Sequence, residues 1–332
     1  MSQSLTVAVV VVNWNSGSCL AQCLAHLARQ TRAPDRLLVM DNGSSDGSAQ
    51  CAADYPSVTV RHLGGNLGFA RANNLAVEEL DTDYVALLNA DANARPDWLE
   101  RLMDAAAAHP DVVAFGSLQM AHAAGDRLDG LWDDYHFSGL VWRHGFGREL
   151  RNSDLVQRDV FSVCGAAAMY RREAFVRAGG FDEDYFCYCE DVDLGFRLRL
   201  AGGRSLFVPQ AVVEHRGASS SGGHGSRFSV YHGHRNLVWT FVKDMPDALF
   251  WLLLPAHMLQ NLAMILLFAL RGEGALIARS KWDALRGLPA AWRKRRSVQA
   301  TRVVSVAQIW RAMDARLAPR IGHRLWVAMR WS

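Results

Sequence analysis

Thr6-Val-Ala-Val-Val-Val-Val-Asn13-Trp-Asn15-Ser-Gly17 is the stretch on which the fold turns, and Arg36-Leu-Leu-Val-Met-Asp41-Asn-Gly-Ser-Ser-Asp-Gly47 repeats its pattern. Each is an apolar run without polar alternation that stops abruptly at Asn, Asp, Ser and Gly. A strand that is apolar on both sides belongs inside a sheet covered on both faces, which is how parallel strands are buried. Between the two runs, Leu20, Leu24 and Leu27 recur at helical spacing over 19–29. Strand, helix and strand in this order predict a mostly parallel sheet covered by helices.

The alternation continues to residue 115. The pattern predicts a short helix over 45–53, a strand over 58–63, a helix over 69–80 and a strand over 84–88 that stops at Asn89-Ala-Asp91. Pro96 stands where a first helical turn accepts proline, before a helix over 98–108 and a strand over 112–115. The polar clusters at 13–17, 41–47, 64–68 and 89–91 fall on the carboxyl edge of these strands, where open α/β sheets bind ligands. Each alone is also ordinary turn chemistry; four on one edge point to a site.

Beyond 120 the pattern changes. Residues 120–160 are rich in Trp, His, Gly and Arg without a clear period, the mark of a functional or mobile stretch. A strand over 164–170, a helical turn over 172–178 and a helix over 190–201, stopped by Gly202-Gly203, come next. Strand-like runs at 204–208 and 211–214 lead to His215, and the Gly/Ser-rich 217–226 reads as a flexible linker or lid.

The 332 residues, half apolar and 21% charged, exclude a disordered chain and leave room for one large core or two unequal domains. Six cysteines make no disulfide scaffold and favour a reducing compartment. The start of the chain lacks a basic stretch, and its apolar run is too short for a secretory signal. The net charge of +3 conceals an asymmetry: residues 271–332 carry 14 Lys and Arg against 3 Asp and Glu, while residues 1–270 carry 22 against 30. A basic tail on a mildly acidic body points to an anionic surface.

Residues 248–270 contain no charge, and 19 of the 23 are apolar, long enough to cross a bilayer. Pro255, His257, Gln260 and Asn261 interrupt them. A single crossing would also place body and basic tail on opposite sides, against the positive-inside rule. A re-entrant hairpin broken near 255–261 or an in-plane helix avoids that conflict; a pair of buried helices or an oligomer interface is the soluble alternative. Trp292-Arg-Lys-Arg-Arg296 and a stripe of Trp310, Met313, Leu317, Ile321 and Leu325, with Arg311, Arg316, Arg320 and Arg324 off it, favour an anionic membrane surface. Nucleic acid ranks below it, because the apolar segment has no role there.

Three groups carry candidate chemistry. Asp91, at a strand end, suits a hard divalent cation bridging phosphate oxygens. Glu190-Asp191 opens a helix, where carboxylates complement the dipole, but aromatics and acids crowd before it, and one carboxylate there suits a general base. His215 becomes a plausible ligand if a metal is near. His224, His232 and His234, with Cys187 and Cys189, fit no zinc spacing. Arg235-Asn236 reads either as a phosphate contact or as a solvated helix start. The first strand lacks the G-x-G-x-x-G of a dinucleotide fold, which argues against an oxidoreductase.

V-V-V-V-N-W-N at 9–15, V-M-D-N-G-S-S-D-G-S at 39–48, G-N-L-G-F-A-R-A-N-N at 65–74, L-L-N-A-D-A at 87–92, the run 165–186 and E-D-V-D-L-G-F-R-L-R-L-A-G at 190–202 together resemble family 2 glycosyltransferases of the GT-A fold, closest to the rhamnosyltransferase-like subset. The resemblance covers about residues 5–216. It implies a catalytic domain over 1–216, with a nucleotide-sugar half to about 118 and an acceptor half over 119–216. A flexible connector over 217–247 and an apolar, then basic, helical region over 248–332 follow.

By the same resemblance, Asn13, Asn15 and Asp41 line the base and ribose pocket, and Asn66, Gly68 and Arg71 lie beside the nucleotide. Asn89-Ala90-Asp91 stands for the family's D-x-D motif, with Asp91 and His215 on Mg²⁺ or Mn²⁺. Asp191 is the base with Glu190 as fallback, and Trp132 and Trp142 shape the acceptor side. The expected activity is inverting transfer of a sugar, L-rhamnose from dTDP-rhamnose, to a lipid-linked or polysaccharide acceptor at the cytoplasmic face of the membrane. A UDP-sugar transferase and a non-catalytic nucleotide-sugar binder are the alternatives.

Overall fold

A computed structural model describes residues 5–217 and 226–316. Most of the Gly/Ser-rich loop, His224, and Leu317, Pro319, Arg320, Ile321, Arg324 and Leu325 of the tail lie outside the described residues. The first half runs β1 (Val7–Asn13), α1 (Cys19–Leu27), β2 (Arg36–Asp41), β3 (Val58–His62), α2 (Phe69–Glu78), β4 (Tyr84–Asn89), β5 (Ala92–Ala94), α3 (Trp98–Ala108) and β6 (Val112–Ala121). The middle runs β7 (Leu128–Gly130), β8 (Asp133–Tyr135), β9 (Val141–Arg143), β10 (Arg158–Val160), β11 (Ala167–Arg171), α4 (Arg172–Arg177), α5 (Glu190–Leu200) and β12 (Arg204–His215). Four helices follow: α6 (Arg227–Asp244), α7 (Asp247–Leu270), α8 (Gly274–Ala300) and α9 (Val306–Ala312).

The main sheet has the order β10-β12-β6-β11-β4-β1-β2-β3. The block β4-β1-β2-β3 is parallel, as its apolar runs predict. β11 then runs antiparallel between β4 and β6. Val7, Val9 and Val11 face α1 and α3 in one core, while Ala8 and Val10 face α2 and α4 in the other. Register aligns Asn13 with Asp41, Asp41 with His62, and Val12 with Asn89, so the polar clusters do share one edge.

A third core explains what the periodicity did not. α5 turns Leu194 and Leu198 to the sheet and Val192, Phe196 and Leu200 to α6, α7 and α8. The helical C-terminal region therefore packs directly on the helix that begins with Glu190-Asp191. The supposed connector holds the 18-residue α6, which composition alone concealed. The two strand-like runs before His215 are one strand, β12, with a register shift between Val208 and Val212. The helix expected over 45–53 is a 3-10 turn at Ser48–Asp54. The irregular 120–160 stretch contributes β7 to β10.

No hairpin breaks at Pro255. α7 is one continuous 24-residue helix, with the proline on its exposed side and His257 turned inward. The His257 ring stacks on Phe241 at 4.0 Å, and its Nδ1 lies 2.8 Å from the Ser138 carbonyl. Among the described residues α7 is the one helix long and apolar enough to cross a membrane.

Candidate active site

Amide and hydroxyl side chains gather around one carboxylate, Asp41, at the ends of β1 and β2. Asn13 is fully buried; its Nδ2 donates to Asp41 Oδ1 (3.1 Å) and to the Ser44 and Ser48 hydroxyls (both 3.0 Å). It braces the ends of β1 and β2 from beneath. Asp41 also meets His62 Nδ1 at 2.9 Å. Partial burial pushes the Asp41 carboxyl up, but hydrogen bonds from Ser44, His62 and Asn13 hold it below the ordinary range.

The exposed Asn15 accepts from Ser45 N at 2.8 Å. Asn42 is the donor-edge residue that the sequence hid among turn formers. Its Nδ2 donates to Asn66 Oδ1 (3.0 Å) and its Oδ1 accepts from Leu67 N (2.8 Å), tying the 64–68 loop to the end of β2. Gly68 has φ +86°, and a Cβ there would meet the Phe186 carbonyl at 2.6 Å, so only glycine fits. Arg71 is exposed and faces Glu183 at 3.4 Å.

The metal side is a row of charges. His215 Nε2 lies 3.1 Å from Asp91 Oδ1 and 3.3 Å from Asn89 Nδ2, and its Nδ1 lies 2.8 Å from Asp129 Oδ2. Burial opposes the charge on this imidazole, yet Asp129 and Asp91 hold its pKa up at about 10. Asp91 Oδ1 and His215 Nε2 face each other at hydrogen-bond distance with Asp129 behind the ring; a divalent cation that displaced the proton between them would find a carboxylate and an imidazole donor, a set that fits it. Asp129 lies in the stretch without periodicity, and no spacing signalled it.

The base side sits at the start of α5. Asp191 is half-buried; its Oδ2 accepts from Gly165 N and its Oδ1 from Val192 N, both at 2.8 Å. Ligand atoms of Asp191, Asp133 and Cys164 lie within 4.8 Å of one another. Burial, then Asp191, push Asp133 up to about 8 against the pull of Arg143, and burial pushes the Cys164 thiol up. The trio therefore contains a carboxyl held up at Asp133 and a thiol held up at Cys164, a set less suited to a cation than Asp91 and His215. Glu190 is buried, and its Oε2 meets no hydrogen-bond partner among the described residues. Burial and Asp191 push its carboxyl well up, which disfavours it as the fallback base.

Positive φ at Phe186, Tyr188 and Cys189 marks a strained turn just before α5. Arg235 and Asn236 hold it. Neither starts a helix; both lie inside α6. Asn236 Nδ2 donates to the carbonyls of Tyr185 (3.1 Å), Cys187 (3.0 Å) and Tyr188 (2.7 Å), and Arg235 donates to those of Asp184 and Tyr185. Arg235 Nη2 and the Asn236 amide thus serve backbone carbonyls, while Arg235 Nε donates to Asn236 Oδ1 at 2.9 Å. Trp132 packs in the core, stacked on His144 at 4.1 Å and donating to Asp134. Trp142 is half-buried beside His136.

The basic tail needs a similar correction. Arg295 is buried against the Val242 and Met245 carbonyls, and Lys294 pairs with Asp182 and Asp184. Met313 is buried, and Trp310 contacts Phe137. Half of the 293–296 charge cluster thus binds the body rather than projecting from it.

The family model described as Glycosyl transferase family 2 matches residues 8–178. The chain belongs to glycosyl transferase family 2. This family member is 35% identical over 236 residues to the N-acetylglucosaminyl-diphospho-decaprenol L-rhamnosyltransferase of Mycobacterium tuberculosis, covering 64% of the chain and 77% of that protein. It is 29% identical over 188 residues to the rhamnosyltransferase WbbL of Escherichia coli, covering 52% and 70%. Its fold is similar to that of the mannosyltransferase PcManGT from Pyrobaculum calidifontis, solved with GDP-Man and Mn²⁺ (TM-score 0.54, 20% identity, 93% of this chain and 88% of that one). The chain is a glycosyltransferase of the GT-A type.

Proposed function

We propose that this glycosyltransferase moves L-rhamnose from dTDP-rhamnose to a hydroxyl of a lipid-linked acceptor in cell-envelope glycan synthesis, with inversion. The 35% identity to a rhamnosyltransferase named for a diphospho-decaprenol acceptor carries the reading. The site supports it chemically. Asp91 and His215 hold Mg²⁺ or Mn²⁺, which supplies positive charge to the departing diphosphate when bound. The end of β2 and the loop pinned by Asn42 hold the nucleoside. Gly165 N and Val192 N orient Asp191, which takes the proton of the acceptor hydroxyl as that oxygen attacks the anomeric carbon. The bond to the diphosphate oxygen breaks from the opposite face through an oxocarbenium-like state.

The test is release of nucleotide from dTDP-rhamnose, UDP-glucose and UDP-N-acetylglucosamine in the presence of N-acetylglucosaminyl-diphospho-decaprenol, with and without Mn²⁺. Metal-dependent rhamnosylated lipid is expected. Turnover with a UDP-sugar alone moves the assignment to that donor. Nucleotide binding without turnover on any donor replaces it with the non-catalytic reading.

α7 supports contact with the anionic cytoplasmic leaflet. Leu249, Phe250, Leu253, His257 and Phe268 pack on the body along the helix, while Trp251, Leu252, Met258, Leu259, Leu262 and Leu266 are more than half exposed. A helix anchored to the body at its first half and again at Phe268, with an apolar face left open between, suits a position in the membrane plane. Arg279, Arg286 and Arg293 recur every seven residues and are exposed on α8, beside exposed Trp282, Leu285 and Trp292. Co-sedimentation with phosphatidylglycerol vesicles, weaker with phosphatidylcholine and lost in Leu259→Glu, is the expected result. Equal recovery in the supernatant with both lipids removes the membrane from the proposal.

A further inference from the structure

We propose that Arg143 is a positioning residue that locks the metal side of this site to its base side. The inference rests on the metal-dependent transfer reading above. Asp129, Asp133 and Arg143 all come from the stretch without periodicity, and the fold brings them together between the two halves of the chemistry.

Arg143 lies on β9 with its side chain nine-tenths buried. Its Nη1 donates to Asp129 Oδ2 at 3.3 Å, and its Nε lies 3.7 Å from Asp133 Oδ1. Asp129 Oδ2 is the same oxygen that faces His215 Nδ1 at 2.8 Å. One carboxylate oxygen therefore sits between the guanidinium and the imidazole that converges on Asp91. At the other end, Asp133 stands directly across the β8–β9 ladder from Arg143 and within the cluster that includes Asp191. A single buried cation is thus shared by the carboxylate that aims the metal ligand and the carboxyl that adjoins the base.

The strand beneath is cut to fit. A Cβ at Gly130 would come within 2.0 Å of Arg143 Cδ and 2.2 Å of its Cγ. Gly130 leaves a gap in β7 through which the arginine stem passes. The ionisable groups around the guanidinium come from every packed element: Asp129 on β7, Asp133 and Asp134 on β8, Cys164 before β11, Asp191 on α5 and His215 on β12. Taking the cation away leaves buried carboxylates facing one another, which costs more than an ordinary hydrogen bond. Asp129 then loses the partner that fixes its oxygen toward His215, and Asp133 loses the charge that offsets its neighbour Asp191.

The experiment compares the full chain with Arg143→Met, Arg143→Lys and Gly130→Ala. Mn²⁺ affinity is read by water-proton relaxation in the presence of dTDP, and kcat/KM is followed against pH. Loss of the partner behind a metal-binding histidine weakens metal about tenfold or more; Arg143 acts one step further out, through Asp129, so Arg143→Met is expected to weaken Mn²⁺ by up to about tenfold. Removing a cation beside carboxyls disfavours their ionised form, so the acidic limb of kcat/KM moves up by about one pH unit. Arg143→Lys restores part of both effects, and Gly130→Ala reproduces both. Lower activity with unchanged Mn²⁺ affinity and an unmoved acidic limb overturns the proposal and leaves Arg143 a packing residue. If Arg143→Met does not fold, the other two variants decide by the same readouts. A wild-type chain that binds no Mn²⁺ with any nucleotide overturns the transfer reading itself; unchanged Mn²⁺ affinity in all variants overturns only the role of Arg143.

Discussion

The donor edge and the base side of this site are built from opposite materials. At the ends of β1 and β2, Asn13, Asn42, Asn66, Ser44 and Ser48 interlock through amide and hydroxyl groups. Around α5, Asp133, Arg143, Glu190 and Asp191 meet, and Asp193, Arg197, Lys243 and Asp182 form a buried ionic chain behind them. Neutral hydrogen bonds act locally and fade with the pair that makes them. Buried charges act through the low dielectric on several neighbours at once. Substitutions on the donor edge should therefore stay local in effect, and those on the base side should spread.

The largest expected effect breaks the comparison most directly. Asp191→Asn keeps the shape and removes the proton acceptor proposed above, so kcat is expected to fall by roughly 100- to 10,000-fold. dTDP binding, measured by calorimetry, stays at the wild-type value because the donor edge touches none of the changed charge. Retained turnover would move the base elsewhere.

Asn236→Ala comes next. It removes two N–H donors shared among three carbonyls of the strained 185–189 turn, of which Tyr185's still accepts from Arg235, at a cost of about 2 kcal/mol in unfolding free energy. Because that turn leads straight into Glu190-Asp191, kcat should fall with it. Asn42→Ala removes fewer bonds at a more open edge and costs about 1–2 kcal/mol. Its kinetic mark is a raised KM for the nucleotide sugar with kcat preserved. If the two variants show the same kinetic pattern, the division between the two sides is wrong.

The same division governs what could be read beforehand. The β1–β4 block was legible because parallel strands buried on both faces are unbroken apolar runs, and because Asp41, Asn89 and Asp91 follow them immediately. The candidates His215, at the end of β12, and Asp191, at the start of α5, stand out because element ends are visible in one dimension. Asp129, Asp133 and Arg143 do not, because they meet through strands of three residues, too short for any period to register. α5 hid its second buried face for a related reason: a helix covered on both sides carries little amphipathic contrast. That Asn13 and Trp132 are buried was not legible, because which way a side chain points depends on packing that sequence spacing does not encode.

The smallest expected effect is a difference in sign. Asp41 is held below the ordinary carboxylate range, so its contribution to stability is present above an unfolded pKa of about 3.9 and is lost as pH falls below it. Asp133 is pushed up to about 8, so its contribution is full below that unfolded value and is lost as pH rises through about 8. Thermal unfolding of Asp41→Asn and Asp133→Asn against wild type therefore separates the two sides without any substrate. The deficit of Asp41→Asn should shrink as pH falls from 5 to 3. Asp133→Asn, neutral at every pH, should gain on wild type by a few degrees, about 1 kcal/mol or more, between pH 5 and 8. Parallel curves for both variants would mean that Asp133 is as well compensated as Asp41, and the charged side would then be no more coupled than the neutral one.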